Sequence, residues 1–238
     1  MNRTPIIVSW SGGKDSSLAL AALRADSQFQ ITGLLTSITV DYDRISIHGV
    51  RRSLLEAQAK TLDLPLYEVL VEANATNASY EAAFHTALAT LRRKEPHARH
   101  IAFGDLFLAD VRNYRETLLS ATEYEAVFPL WGMDTTQLAR HFIDAGFVAH
   151  LVCVDTSQLD VAFAGRRFDL NLLADLPQDV DPCGERGEFH TFVSAGPILA
   201  EPIACHRGEI VIRDNRFAYC DLLPGHGNET LSPAVQKV

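Results

Sequence analysis

Six consecutive residues near the N-terminus, Ser11-Gly12-Gly13-Lys14-Asp15-Ser16, combine hydroxyls, glycines, an ammonium and a carboxylate. Glycines let a backbone turn tightly and approach a ligand closely. The first amides of a helix that follows, with the positive end of its dipole, favour phosphate. Lys14 would add a mobile positive charge, Ser11 and Ser16 hydroxyl donors, and Asp15 a ligand for a Mg²⁺ that bridges phosphates. Neither G-x-x-x-x-G-K-[ST] nor G-x-G-x-x-G occurs in the chain, so the two common phosphate loops do not explain the cluster. A plain strand–helix turn would account for Gly12 and Asp15 and leave the serines and the lysine without a reason. The hexapeptide reads as an anion cradle.

A second group lies in the polar stretch 181–192, where Glu185, Glu188 and His190 are close enough to line one pocket. There they could hold an ammonium nucleophile, take its proton or bind a substrate amine; a solvated, turn-rich loop is the alternative. His48 and Arg51 suit an acidic substrate or a phosphate, or else an exposed helix start. Arg112 and Arg115, three apart on one helix face, suit phosphate or carboxylate, or surface ion pairs. Asp105, after Gly104, could reach Mg²⁺ or a ribose hydroxyl, or cap the next helix. Cys183 reads as a small buried hydrophobe, because no neighbouring thiol could resolve a persulfide.

These residues need a scaffold, and the hydrophobic pattern supplies one. Apolar strand-like runs at 5–10, 31–39, 66–71, 100–103 and 126–130 alternate with helical patterns at 17–24, 51–62, 80–94, 111–122 and 136–145. Ser16 or Asp15 would cap the first helix, and Asp63-Leu64-Pro65 would stop the second. Such alternation predicts an α/β fold with a doubly wound, mostly parallel sheet, whose ligands bind beyond the carboxyl ends of the strands. Residues 11–16 and Gly104-Asp105 both fall at such ends. From about Asp155 the alternation fades. Residues 181–192 look too polar for a core strand, while 198–205 and 209–222 resemble antiparallel strands with a turn at Arg213-Asp214-Asn215-Arg216. The expected division is a nucleotide-binding domain over 1–130 and a smaller α+β domain over 131–238. The stretch from Gly225 on is polar and is expected to be loose.

The bulk numbers fit a globular enzyme. Of 238 residues, 47% are hydrophobic and 21% charged, and the formal net charge is -9. No basic stripe is evident, which speaks against a nucleic-acid partner. The four cysteines contain no C-x-x-C pair, which argues against a zinc ribbon or a disulfide-stapled secreted fold. With no membrane-length apolar run and no signal-peptide pattern, a cytoplasmic location without membrane association is expected.

Ser-Gly-Gly-Lys-Asp-Ser after a first strand resembles the pyrophosphate loop of the N-type ATP pyrophosphatases, which share the adenine nucleotide alpha hydrolase (HUP, Rossmann-like) fold. Further stretches narrow the likeness: His48-Gly49-Val50-Arg51; Phe103-Gly104-Asp105 with Val111-Arg112-Asn113-Tyr114-Arg115-Glu116; Pro129-Leu130-Trp131-Gly132; and Asp181-Pro182-Cys183-Gly184-Glu185-Arg186-Gly187-Glu188-Phe189-His190-Thr191-Phe192. In order and spacing these resemble the short prokaryotic members of the diphthine–ammonia ligase family, from residue 5 to about 200. Arg186 departs from the asparagine usual there. The resemblance implies ATP and Mg²⁺, with Asp15 and Asp105 as metal ligands and Thr36, at the end of the second strand, near the adenine. Residues 11–16, Lys14 among them as a catalytic group, and Asp105 would serve adenylation of a carboxylate. Glu185, Glu188 and His190 would serve attack by free ammonium. The implied acceptor is a modified histidine, diphthine, on translation elongation factor 2. Two other readings stay open: a tRNA-modifying enzyme of the same superfamily, and a non-catalytic adenine-nucleotide sensor. The sequence also leaves a homo-oligomer open.

Overall fold

A computed structural model describes residues 3–225. The expected loose tail after Gly225 lies outside the described residues. Strand β1 (Thr4–Ser9) leads through the glycine pair into helix α1 (Lys14–Ala25). There follow β2 (Phe29–Thr39), the short β3 (Arg44–Ile45), α2 (Arg52–Leu62), β4 (Leu66–Val71), α3 (Asn77–Lys94), β5 (His100–Ala102), α4 (Ala109–Ser120) and β6 (Glu125–Val127). These strands form one sheet in the order β3-β2-β1-β5-β6, with β4 also on β2; all its pairs are parallel except β2 with β3.

Period-two alternation covers both faces of this sheet. Ile6, Val8, Leu34 and Ile38 pack with Leu20 and Leu23 of α1 and Leu54 and Leu55 of α2. Ile7, Leu35, Val69 and Ile101 point the other way, onto Phe84 and Leu88 of α3 and Leu118 and Leu119 of α4. That is the doubly wound arrangement expected from the strand–helix alternation. Local signals set the helix starts: the Thr76 side chain accepts from the Ser79 amide before α3, and Asp134 from the Gln137 amide before α5 (Thr135–Asp144). Helix α1 differs from expectation. Its cap is Gly13, with no side-chain bond, so neither Asp15 nor Ser16 caps it.

A second, antiparallel sheet has the order β8-β7-β10-β9, from β7 (Val148–Asp155), β8 (Phe189–Ala195), β9 (Cys205–Arg213) and β10 (Phe217–Pro224); a short α6 (Leu170–Asp175) lies between β7 and β8. Several expectations need correction here. Residues 198–204 form no strand, and the strand begins at Cys205. The polar stretch 181–192 does enter a core strand: Phe189, Phe192 and Val193 of β8 are buried, because the polarity ends at His190 and alternation takes over. Strand β7, buried along nearly its whole length, runs up to Asp155 through a stretch to which the sequence pattern assigns no element. The fifth strand is shorter than 126–130, since residues 129–132 turn. The expected turn is present: Asp214 and Asn215 both have positive φ, 51° and 48°, and the Arg216 amide donates to the Arg213 carbonyl. Both central residues of a type I′ hairpin need that backbone, and Asp and Asn tolerate it. One hydrophobic core runs from β1 and β2 through α5 to β7, β8 and β10. Among the described residues no helix is long and apolar enough to cross a membrane.

Candidate active site

The phosphate-loop candidate leaves β1 at its carboxyl end and is gripped from behind. Gly12 has φ +74°, and a Cβ there would meet the Gln58 Oε1 atom at 2.6 Å. Gln58, fully buried on α2, donates to the carbonyls of Gly12 (2.9 Å) and Val193 (2.7 Å) and accepts from the Trp10 indole (2.9 Å). Strand β8 closes on the loop as well: the Lys14 amide donates to Thr191 Oγ1 at 3.0 Å, and the Val193 amide to the Gly12 carbonyl at 2.9 Å. The Gly13 amide is taken by Ser11 Oγ. The amides of Ser11, Gly12 and Ser16 have no hydrogen-bond partner among the described residues. The cradle is therefore smaller than the hexapeptide, but donors remain at the start of α1.

Lys14 is a correction. Instead of a mobile surface charge it is 2% exposed, with its ammonium on both Asp15 oxygens (2.8 and 2.7 Å) and on the Cys183 carbonyl. The rings of Phe168 and Phe189 lie 6.0 and 5.7 Å away. Burial lowers its pKa, and Asp15 together with Cys183 and Glu185 more than restores it, so Lys14 stays charged and ties the loop to residues 181–190. Asp15 is thereby occupied as well.

A cavity of about 230 Å³ opens in front of the loop, lined by Ser11, Gly13, Ser16, Gly104, Asp105, Arg115, Glu185, His190 and His48 among others. It adjoins a larger one of about 480 Å³, lined by Leu35, Thr36, Ser37, Tyr80, Phe84, Asp110 and Tyr114. Ser9, Ser11, Ile47, His48, Val111 and Arg115 line both. Gly104 lets β5 end against the loop: a Cβ there would lie 2.9 Å from the Asp15 carbonyl carbon. Asp105 follows it, 3.6 Å from the Arg115 guanidinium, with a buried Oδ2 that has no hydrogen-bond partner. Burial outweighs Arg115 and raises its pKa. Thr36 is likewise buried, with an unpartnered hydroxyl, at the wall of the larger cavity.

Glu185 and His190 face this space and Glu188 does not. Glu185 accepts from the amides of Leu106 (2.7 Å) and Phe107 (3.4 Å), and burial pushes its carboxyl up to about 7, with Asp15 and Asp105 adding to the effect. The Leu106 segment is in turn held by the Gly132 amide at 2.8 Å, which explains the place of Pro129-Leu130-Trp131-Gly132. His48 and His190 meet with ring centroids 4.5 Å apart. Burial takes His190 down to about 4, Lys14 adding to it, and burial with His190 nearby holds His48 well below the usual imidazole range. Glu188 is a second correction: its oxygens accept from the amides of Asp181 and Arg186, both at 2.9 Å, so it ties its own loop together. Arg186 is exposed and lies over the Phe107 ring, centroid 5.8 Å away. Cys183 is buried and its thiol is pushed up to about 12 by that burial, as a small hydrophobe would be. All four cysteines are free.

The paired arginines part company. Arg115 reaches the cavity, whereas Arg112 bonds Glu116 at 2.8 Å and lies 4.8 Å over the rings of Phe128 and Trp131, so it is a surface clamp. Arg51 also turns away from His48: with Arg44 it binds Asp221 of β10, at 2.6 Å through Arg51 Nη2 and 2.8 Å through Arg44. The sequence reading missed Thr191, Gln58, Tyr80 and Tyr114. For Gln58 a signal existed, a polar residue on the apolar stripe of Leu54, Leu55, Ala59 and Leu62.

Two family models match the chain: the diphthamide synthase N-terminal domain over residues 4–119 and the diphthamide synthase C-terminal domain over residues 134–222. The chain belongs to the diphthamide synthase family. No curated protein matched it. Among solved structures, one described as the predicted subunit of a tRNA methyltransferase from Methanocaldococcus jannaschii aligns with 84% of this chain and 100% of its own, at 19% identity and a TM-score of 0.44. In this diphthamide synthase family member, no group of three or more His, Cys, Asp and Glu side chains could hold a metal among the described residues. Asp105 Oδ2, which accepts no hydrogen bond although Arg115 lies 3.6 Å away, would suit a Mg²⁺ otherwise held by substrate phosphates and water.

Proposed function

We propose that the chain is an ATP-dependent ligase that adenylates a substrate carboxylate and transfers ammonia to it. The observation that carries this reading is the junction of the two cavities, which puts the loop amides, Asp105, Arg115, Glu185 and His190 around one continuous space. The adenosine occupies the larger cavity beside Thr36, and the phosphates lie over the free amides of residues 11–16. A carboxylate oxygen of the acceptor attacks the α-phosphorus, the bond to the β-phosphate breaks, and pyrophosphate leaves towards Ser11 and Ser16. Bound at Asp105 and the phosphates, Mg²⁺ would offset their negative charge. Ammonium then gives a proton to Glu185, whose raised pKa suits that exchange near neutral pH. The ammonia attacks the acyl carbon, the bond to the AMP phosphate breaks, and the further proton lost by the nitrogen leaves with AMP. Neutral His48 and His190 accept hydrogen bonds from the nitrogen nucleophile. Family membership supports diphthine on translation elongation factor 2 as the acceptor, and with it a cytoplasmic site of action.

The experiment is a pyrophosphate-release assay with ATP, ammonium and diphthine-bearing elongation factor 2. Repeated turnover is expected only with all three present, with AMP in equal amount and an amidated product, while ATP and acceptor without ammonium should release no more than one pyrophosphate per enzyme. Asp105→Asn should cut turnover by at least about tenfold, the scale of a lost charge-stabilising contact. Release driven by RNA in place of a carboxylate would overturn the acceptor class. ATP binding with no pyrophosphate under any acceptor would overturn catalysis and leave a sensor.

A further inference from the structure

Among the described residues, strand β9 is the outer edge of the second sheet and bonds only to β10. Three β-branched residues in a row, Ile210, Val211 and Ile212, are 43%, 45% and 55% exposed there. Edge strands are ordinarily blunted by charge, proline or bulges, because their free N–H and C=O groups template pairing with another chain. Here, apart from Arg207 nearer the start of the strand, the charges flank the apolar triplet, Glu209 before it and Arg213 after it. Both are exposed, and neither joins an ion pair among the described residues.

Glu209-Ile210-Val211-Ile212-Arg213 is complementary to itself when read backwards. In an antiparallel pair centred on Val211, that residue faces the partner subunit's Val211, Ile210 faces the partner's Ile212, and Glu209 faces the partner's Arg213. By symmetry each of the last two pairs occurs twice. Other registers fail. A shift of one residue sets Glu209 against isoleucine, and a shift by two sets Arg213 against Arg207 or buries it against valine.

We propose that β9 pairs antiparallel with β9 of a second copy, about a two-fold axis through Val211, joining the two four-stranded sheets into one. Ile210 and Ile212 lie across from Cys220 and Ala218 of β10, both buried, so the partner's isoleucines extend the core face outward. On the opposite face Glu209, Val211 and Arg213 line a cavity of about 860 Å³ with Tyr42, Gly49 and Tyr219. Pairing in the plane of the sheet brings the two copies' cavities side by side on one face.

Sedimentation velocity of the full chain at physiological ionic strength tests this. A dimer is expected whose dissociation constant rises at least about tenfold in Glu209→Arg and again in Arg213→Glu, since each places like charges opposite each other twice. The double variant restores opposite charges and should return to within about threefold of the native constant. Val211→Lys, which sets two ammonium groups face to face, should give a monomer with an unchanged circular dichroism spectrum. A monomeric native chain at its highest soluble concentration overturns the proposal. So does a dimer indifferent to Val211→Lys, or charge variants whose losses simply add. A native monomer that dimerises only after removal of residues 226–238 would mean that the chain covers its own edge, and also overturns it.

Discussion

Glu185 stands where opposite demands meet. Burial and the neighbouring carboxylates of Asp15 and Asp105 favour its neutral form, while the Leu106 and Phe107 amides favour the anion, and the balance falls at about 7. The folded pKa lies above the unfolded value near 4.5, so the folded state holds a proton that the unfolded chain has lost between those pH values. Stability from this residue is full below about 4.5 and is lost as pH rises through about 7. Glu185→Gln keeps an oxygen for the Leu106 amide and removes the titration. Urea midpoints of the two proteins should therefore diverge with rising pH, the native protein falling relative to the variant between pH 5 and pH 8. Parallel profiles would show that Glu185 is not protonated in the fold. The same residue shows what a sequence can carry. Its place in a polar cluster is visible in the chain; its perturbation is not, because Asp15 and Asp105 lie far away along the chain.

At the scale of elements, the site depends on three segments meeting behind the loop: the end of β1, helix α2 and strand β8. Gln58 joins them with three hydrogen bonds in a fully buried setting. Gln58→Leu would leave the Trp10 indole and the Gly12 and Val193 carbonyls without that partner, and each orphaned buried group costs about 1–3 kcal/mol. The two carbonyls differ in exposure to this loss, since the Gly12 carbonyl keeps the Val193 amide. A loss of about 3 kcal/mol in unfolding free energy is expected, with nucleotide affinity falling further than stability alone would explain. Denaturant unfolding and nucleotide titration of the same variant measure both; a stable variant with native affinity would refute the assignment. The elements themselves were largely legible, since strand and helix periods alternate from β1 to α5. Legibility failed for half of the second sheet: β7 is buried on both faces and shows no period of two, and β8 begins inside a polar loop, whereas the β9–β10 hairpin announced itself by its turn. Long-range partners were also hidden: Asp221 draws Arg51 away from the site, and Asp181 and Arg186 claim Glu188 through their amides. Residue type and spacing cannot reveal which of several polar groups will be claimed by a distant backbone.

Across the whole molecule, histidines on β7, on β8 and in the turn after β3 are held neutral. His150, buried on β7, is taken down to about 4 by burial, with Arg167 and Arg207 adding to it; His190 on β8 is also near 4, and His48 lies well below the ordinary value. In the unfolded chain all three would take up protons near 6.5, so the unfolded state binds more protons as pH falls. Stability from these residues is present above about 6.5 and is lost as pH drops through about 4. Glu185, Asp15 and Asp105, whose pKa values are raised, work in the opposite direction over part of that range. Net acid destabilisation is expected between pH 6.5 and pH 4, strongest at the cavity, where protonating both His48 and His190 would set like charges on rings with centroids 4.5 Å apart. His190→Gln should flatten the slope of urea midpoint against pH in this window. Because one core joins the two sheets, the acid transition should be single, with far-ultraviolet dichroism and tryptophan fluorescence moving together. Two separate transitions, or a slope indifferent to His190, would mean that the sheets unfold independently or that the cavity histidines are charged in the native protein.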